Sequence, residues 1–141
     1  AIQSDVIKTR GNKSYDHIKK LKEEGFLISE KFGRTKILKL TQKFYDYFDV
    51  IEDELKDIEA FQYLAILHND RVTGMRDGKR DYGLQIEIRC WDSVDARTAK
   101  PSRIHYEILE NLAGRITQEV SGVVSVTYNI TSKPTSTIEA I

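Results

Sequence analysis

Apolar residues recur at helical spacing through the first 25 positions and then switch to alternation. In "IQSDVIKTRG" Ser4 can cap a short helix carrying Val6 and Ile7, and Gly11 stops it. After the turn "NKS", Ser14 can cap a second helix, "YDHIKKLKEEG". Its inward stripe is Ile18 and Leu21 with Tyr15 or His17, and Gly25 ends it. Two helices joined by so short a glycine-containing turn have helix-turn-helix spacing. "FLISEKF" and "TKILKL" then alternate. Phe26 and Ile28 share a face, Ile37 lies between polar neighbours, and Gly33-Arg34 suits a tight hairpin turn. A hairpin in this place is a wing. Thr41 can cap a third helix, "QKFYDYFDV", whose Phe44, Tyr45, Tyr47 and Phe48 serve to close a small core.

The next stretch, "DVIEDELKDIE", is the most acidic in the chain. Val50, Ile51, Leu55 and Ile58 recur in it at helical spacing, which predicts a short amphipathic connecting helix over 51–59. Beyond it, "FQYLAILH" reads as a strand, although its length leaves a helix open. "NDRVTGMRDGKRD" supplies turn residues, with Asp77-Gly78 the strongest bend signal. "YGLQIEIRCW" alternates cleanly, Leu84, Ile86, Ile88 and Cys90 inward and Gln85, Glu87 and Arg89 outward, as in a sheet strand with one wet side. Pro101 suits the first turn of a helix carrying Ile104, Ile108, Leu109, Leu112 and Ile116. Ser121-Gly122 breaks the chain, and Val124, Val126, Tyr128 and Ile130 alternate along a last strand. The pattern predicts an α+β protein: a truncated winged helix-turn-helix at 1–50, the acidic connector at 51–59, and at 60–141 a small, mostly antiparallel sheet with one packed helix.

Composition narrows the function classes. No apolar run approaches the ~18 residues of a membrane span, and the N-terminus lacks the basic, apolar, small-residue order of a signal peptide. A cytoplasmic protein without a membrane partner is expected. The single cysteine, Cys90, can form no internal disulfide and reads as a small buried hydrophobe. The formal charge of zero hides an asymmetry: residues 1–48 hold 11 Lys and Arg against 6 Asp and Glu, and residues 49–141 hold 11 against 16. A basic front can meet nucleic acid or an acidic protein surface.

The reactive residues form no catalytic pattern. His17, His68 and His105 fall on three different predicted elements, and no pair has the short spacing of a metal site. His105 with Glu107 or Asp92 could pair a base with its orienting group, yet no G-x-S-x-G nucleophile accompanies them. "GNKS" lacks the first half of a phosphate-cradling loop. No enzyme, cofactor or metal is expected, and no small-molecule substrate is evident.

The run "QSDVIKTRGNKSYDHIKKLKEEGFLISEKFGRTKILKLTQKFYDYFDV" closely resembles the second winged helix of segregation and condensation protein B, ScpB, in its archaeal form. The likeness covers about residues 3–50 and rests on the "RGN" turn, the "HIKKLKEEGFL" join, the "FGRTKIL" wing and the "TQKFYDYF" helix. It implies a non-enzymatic scaffold acting in chromosome segregation and condensation, with an SMC-kleisin complex as partner or through self-association. An apolar face on the helix pair then requires cover from the rear half, a second copy or a partner, which makes Val6, Ile18, Leu21 and Phe32 the candidate protein contacts. If DNA is the partner instead, Lys13, Lys19, Lys20 and Lys22 would face the major groove, with Arg34 and Lys36 of the wing reaching phosphates. Such a winged-helix regulator could hardly read sequence, because the helix has no Arg, Asn or Gln to pair with base edges. Residues 60–141 are loosely similar in layout, and in their "IRCWDSVDAR" strand exit, to tail-terminator and tail-completion proteins of tailed viruses. That likeness would imply a ring-forming structural subunit.

Overall fold

A computed structural model describes residues 1–138 of the 141. The chain forms two compact units, Ala1–Asp49 and Val50–Ile141.

The first unit holds α1 (Gln3–Arg10), α2 (Ser14–Glu23), β1 (Leu27–Phe32), β2 (Thr35–Leu40) and the first half of α3 (Gln42–Leu55). Ser4 does not cap α1. Ala1 pairs with Leu38 through both backbone bonds, and Ile2 pairs with Ile37, so Ile2 becomes the extended residue before the helix. Ser14 likewise lies inside α2 and is buried. Thr41 does cap α3: its hydroxyl accepts the Phe44 N–H at 3.4 Å and donates to the Gly25 carbonyl. The strands pair from Leu27↔Leu40 to Phe32↔Thr35, leaving Gly33-Arg34 as a two-residue turn. Gly33 has φ +59° and Arg34 does not share the sign, as a type II′ turn requires. Ile18, Phe26 and Leu38 are buried, Tyr47 meets Phe26 edge-on at 5.8 Å, and burial raises the Tyr47 phenol above its ordinary range. The Lys43 ammonium sits 4.7 Å over the Phe26 ring and donates to the Glu24 carbonyl, tying α3 to the end of α2.

Residues 49–59 form no separate helix. With neither Gly nor Pro to stop it, the aromatic helix continues through the acidic stretch to Leu55, and the boundary between units falls inside α3.

The second unit is organised on β5 (Lys79–Asp92). Around it stand β3 (Gln62–Leu67), β4 (Val72–Arg76), β6 (Lys100–Pro101) and β7 (Val123–Tyr128), with α4 (Tyr106–Glu119). β3, β4 and β6 pair with β5 antiparallel and β7 pairs parallel. Both β3 and β7 contact residues 86–88, so they occupy opposite edges of β5. The parallel pair needs a crossover, which α4 provides. The inward stripe of β5 is as expected: Leu84, Ile86, Ile88 and Cys90 are all buried, with Leu112 and Ile116 of α4 and Val120 and Val123.

Three local readings change. "VTGMR" is a strand, and only Asp77-Gly78 turns, with φ +52° and +75° between paired Arg76 and Lys79, the geometry of a type I′ turn. Pro101 belongs to β6 rather than to a helix; α4 begins at Tyr106 because Ser102 is held by its N–H to the Cys90 carbonyl at 2.8 Å. In β7 a bulge opposite Leu84/Gln85 makes Val124 the extra residue, so Val123, Val126 and Tyr128 share the buried side and Ile130 lies exposed beyond the strand. Val124 instead lies against Gly74 and Gly83, where any Cβ would come within 2.7 and 2.5 Å of it.

Candidate functional site

The exit of β5 and the last residues of the chain form the most built feature of the second unit. Ala99 and Lys133 exchange both backbone bonds, at 3.1 and 2.8 Å. Arg89 Nη1 donates to the Thr137 carbonyl at 2.9 Å, and the buried Trp91 indole N–H donates to the Ile138 carbonyl at 3.2 Å. Trp91, Ala99 and Ile138 form a small apolar cluster beneath. Residues 131–138 are thereby strapped across the mouth of the strand.

The loop under this strap is preorganised. Ser93 Oγ donates to the Thr98 carbonyl at 2.7 Å and accepts the Ala96 N–H at 2.9 Å, and Asp95 accepts the Arg97 N–H. Ala96 takes φ +62°, a left-handed conformation that a non-glycine residue adopts only when its neighbours enforce it. Strap and loop border an open cleft of about 660 Å³ lined by Asp92, Ser93, Asp95, Thr98, Lys100, Ser132 and Lys133, among others. Lys133 Nζ is anchored on the Ala96 carbonyl at 2.6 Å, and an ammonium has two further donors to give. Beside the cleft, Ser102 is buried, donates to Asp92 at 2.6 Å, and accepts the Tyr128 hydroxyl on its carbonyl.

A second polar feature crosses the face of β5 opposite the core. Ser125 Oγ donates to Gln85 Oε1 at 3.0 Å, and the Gln85 amide nitrogen, which can only donate, meets His68 Nδ1 at 3.1 Å. His68 Nε2 therefore carries the proton it offers Glu87 at 3.2 Å, and Glu87 is also bonded by Arg89. The chain of contacts ends on the strap, through Arg89. Its members join β5, β7 and the residue after β3 to the strap.

Cys90 is no nucleophile: burial pushes its thiol up to about 11, so it stays protonated at neutral pH. His105 is the residue before α4, exposed, with no side-chain bond capping the helix. Among the described residues no three His, Cys, Asp or Glu side chains gather as a metal site, and no helix is long and apolar enough to cross a membrane.

The residues singled out in the first unit separate into groups. Ile18 is buried and Val6 and Leu21 are half-buried, whereas Phe32 is half exposed at the hairpin tip. On α2, Lys19 and Lys20 face Glu23 and Glu24 at 4.0 and 3.2 Å, and Lys22 is half-buried. Lys13 is exposed between the helices, and Arg34 and Lys36 line a groove at the wing. Sequence reasoning missed the loop 93–99 and Ser132-Lys133. The density of Ser, Thr and Asp after a cleanly alternating strand was the available signal.

Two family models match the chain. Residues 49–140 match the GMP synthase C terminal domain, and residues 1–59 match the segregation and condensation complex subunit ScpB. The chain is 49% identical over 81 residues to a glutamine-hydrolyzing GMP synthase of Aeropyrum pernix, covering 57% of this chain and 16% of that protein. With a GMP synthase of Pyrobaculum aerophilum it shares 42% identity over 94 residues, covering 64% and 19%. With a glutamine-hydrolyzing GMP synthase subunit of Thermoplasma acidophilum it shares 39% over 92 residues, covering 64% and 30%. The chain thus spans less than a third of the length of each of these proteins.

These findings correct the functional expectation. The front of the chain is ScpB-like, but a non-enzymatic scaffold in chromosome segregation and condensation does not survive a larger part of the chain that matches proteins named as synthases of a nucleotide. The same matches replace the likeness of residues 60–141 to viral tail proteins and the ring subunit it implied, set aside the regulator reading, and overturn the expectation that the protein is unrelated to enzymes. That expectation failed because it rested on nucleophiles and metal ligands.

Proposed function

The chain belongs, through residues 49–140, to the family of the GMP synthase C terminal domain, and from that membership we propose that its second unit serves a glutamine-hydrolyzing GMP synthase by holding the nucleotide in the cleft under the strap. The observation that carries this reading is the convergence of Lys100, Lys133, Ser132, Ser93 and Thr98 on one cleft inside the matched region. Ammonium groups and hydroxyls are the donors a nucleotide phosphate takes, and the Asp92 and Asp95 carboxylates are the acceptors that purine N–H groups or ribose hydroxyls take. The first unit we read as a winged helix of the ScpB type, corresponding to the second in that family.

Titration of the full chain with GMP, followed by amide chemical shifts, tests the proposal. Saturable shifts should be confined to residues 92–103 and 131–138, and Lys133→Ala and Lys100→Ala should each weaken them while Lys79→Ala, at the far hairpin turn, leaves them unchanged. Absence of saturation up to about 10 mM, which corresponds to under about 3 kcal/mol of binding, overturns it.

A further inference from the structure

The first unit carries a feature that the second unit's chemistry does not use. A groove of about 520 Å³ runs beside the wing, lined by Gln3, Ser4, Tyr15, Lys31, Arg34 and Lys36, with Gly33 and Thr35 at the turn. From the charge and aromatic exposure of this groove we propose that it binds single-stranded nucleic acid, the three basic side chains gripping phosphates and Tyr15 and Phe32 stacking on unpaired bases. The inference stands on the first unit alone and is independent of nucleotide binding in the cleft.

Three observations carry it. First, Lys31 and Lys36 are direct cross-strand partners, an arrangement of like charges that opposes hairpin formation. Lower in the same hairpin the charges are matched, with Lys39 at 2.9 Å from Glu30. At the tip, none of Lys31, Arg34 and Lys36 has a carboxylate partner among the described residues. Positive charge kept unpaired against the stability of the hairpin suits a polyanion. Second, Tyr15 and Phe32 are each about half exposed, at 52% and 51%, and Tyr15 lines the groove itself while Phe32 adjoins Lys31 at the tip. A basic groove with one exposed ring in its lining and a second at the adjoining hairpin tip is a surface on which unpaired bases stack. Third, α2, which would have to enter a major groove in duplex recognition, pairs Lys19 and Lys20 with Glu23 and Glu24. On that helix only Lys22 lacks a carboxylate partner among the described residues, and it is half-buried, whereas the three basic side chains of the wing are exposed.

The test is fluorescence anisotropy of the full chain with a labelled oligothymidylate of about 20 nucleotides. Three phosphate contacts on a single strand give a log–log salt slope near −2, so affinity should fall about 20-fold between 50 and 200 mM salt. Charge reversal (Lys31→Glu, Arg34→Glu, Lys36→Glu together) should remove that salt dependence, and replacement of the three by Gln should flatten it. Phe32→Ala and Tyr15→Ala should each weaken binding about 5-fold or more while leaving the slope unchanged. Lys19→Glu should have no effect. The proposal is overturned if no salt-dependent binding is seen, if Lys19→Glu weakens it as much as the wing changes, or if the aromatic variants bind like the parent. It is equally overturned if duplex of the same length, or polyglutamate as a stand-in for an acidic protein partner, binds as tightly as the single strand.

Discussion

Gly83 offers the sharpest test of the packing in the second unit. It is buried on β5, and a Cβ built there would lie 2.5 Å from Val124 Cγ1 and 2.6 Å from the Gly122 carbonyl oxygen. Both distances are well inside van der Waals contact. Val124 can shift a methyl group, but the carbonyl cannot move alone, because the same oxygen accepts the Leu84 N–H at 2.8 Å. Overpacking a rigid site costs typically 1–3 kcal/mol, and a backbone obstacle places Gly83→Ala near the upper end. Gly114 is the control. It sits in α4, a Cβ there meets nothing within 4 Å, and Gly114→Ala should stabilise by about 0.5–1 kcal/mol through helix propensity alone. The assay is urea unfolding followed by the single tryptophan, Trp91, which is fully buried in this unit and so reports on it. With a urea dependence of about 1–3 kcal/mol per molar, Gly83→Ala should lower the midpoint by about 1 M and Gly114→Ala should raise it by a few tenths. Val124→Ala in the Gly83→Ala background should recover part of the loss and not all of it, since the carbonyl remains. A Gly83→Ala protein with an unchanged midpoint, or full recovery by Val124→Ala, would refute the reasoning.

Two further outcomes follow from the titrating groups. Because burial raises the Cys90 thiol from 9.0 to about 11, its neutral form is favoured on folding. That contribution, roughly 2–3 kcal/mol, is fully present below pH 9 and is lost as pH rises from about 9 to 11. Urea midpoints for the parent and Cys90→Ala should therefore converge over this range, and a constant gap between them would show that the thiol does not titrate as described. On the surface, hydrogen bonding from Arg115, at 2.5 Å, and the nearby Lys56 hold the Asp53 carboxyl below its ordinary range. Its carboxyl carbon shift in NMR should titrate at a lower pH than that of a free aspartate, and Arg115→Gln should move the midpoint back upward. An unmoved midpoint would mean that the pair does not persist in solution.

Where periodicity was strong, local chemistry decided the element. The alternation of Leu84, Ile86, Ile88 and Cys90 specifies a strand buried on one side whatever its neighbours, Asp77-Gly78 specifies a turn with positive φ at both positions, and Thr41 specifies a helix start. The ScpB-like front was legible for a related reason: turn, wing and the Thr41 cap occur there in a fixed order with little intervening chain.

Tertiary structure alone decided the rest. Whether Pro101 opened a helix or joined a strand depended on the Ser102 N–H finding the Cys90 carbonyl, a partner 12 positions away. That Val123 rather than Val124 turns inward depended on a bulge, which changes register without changing composition. The cleft is the extreme case. Its lysines, hydroxyls and carboxylates come from the exit of β5, the loop beyond it and a strap more than 30 residues later, and they converge only because Arg89, Trp91 and Ala99 bind that strap back. Sequence determines which groups can donate and which segments must bend; contacts between distant segments determine which of those groups share a site, and no local pattern encodes that closure.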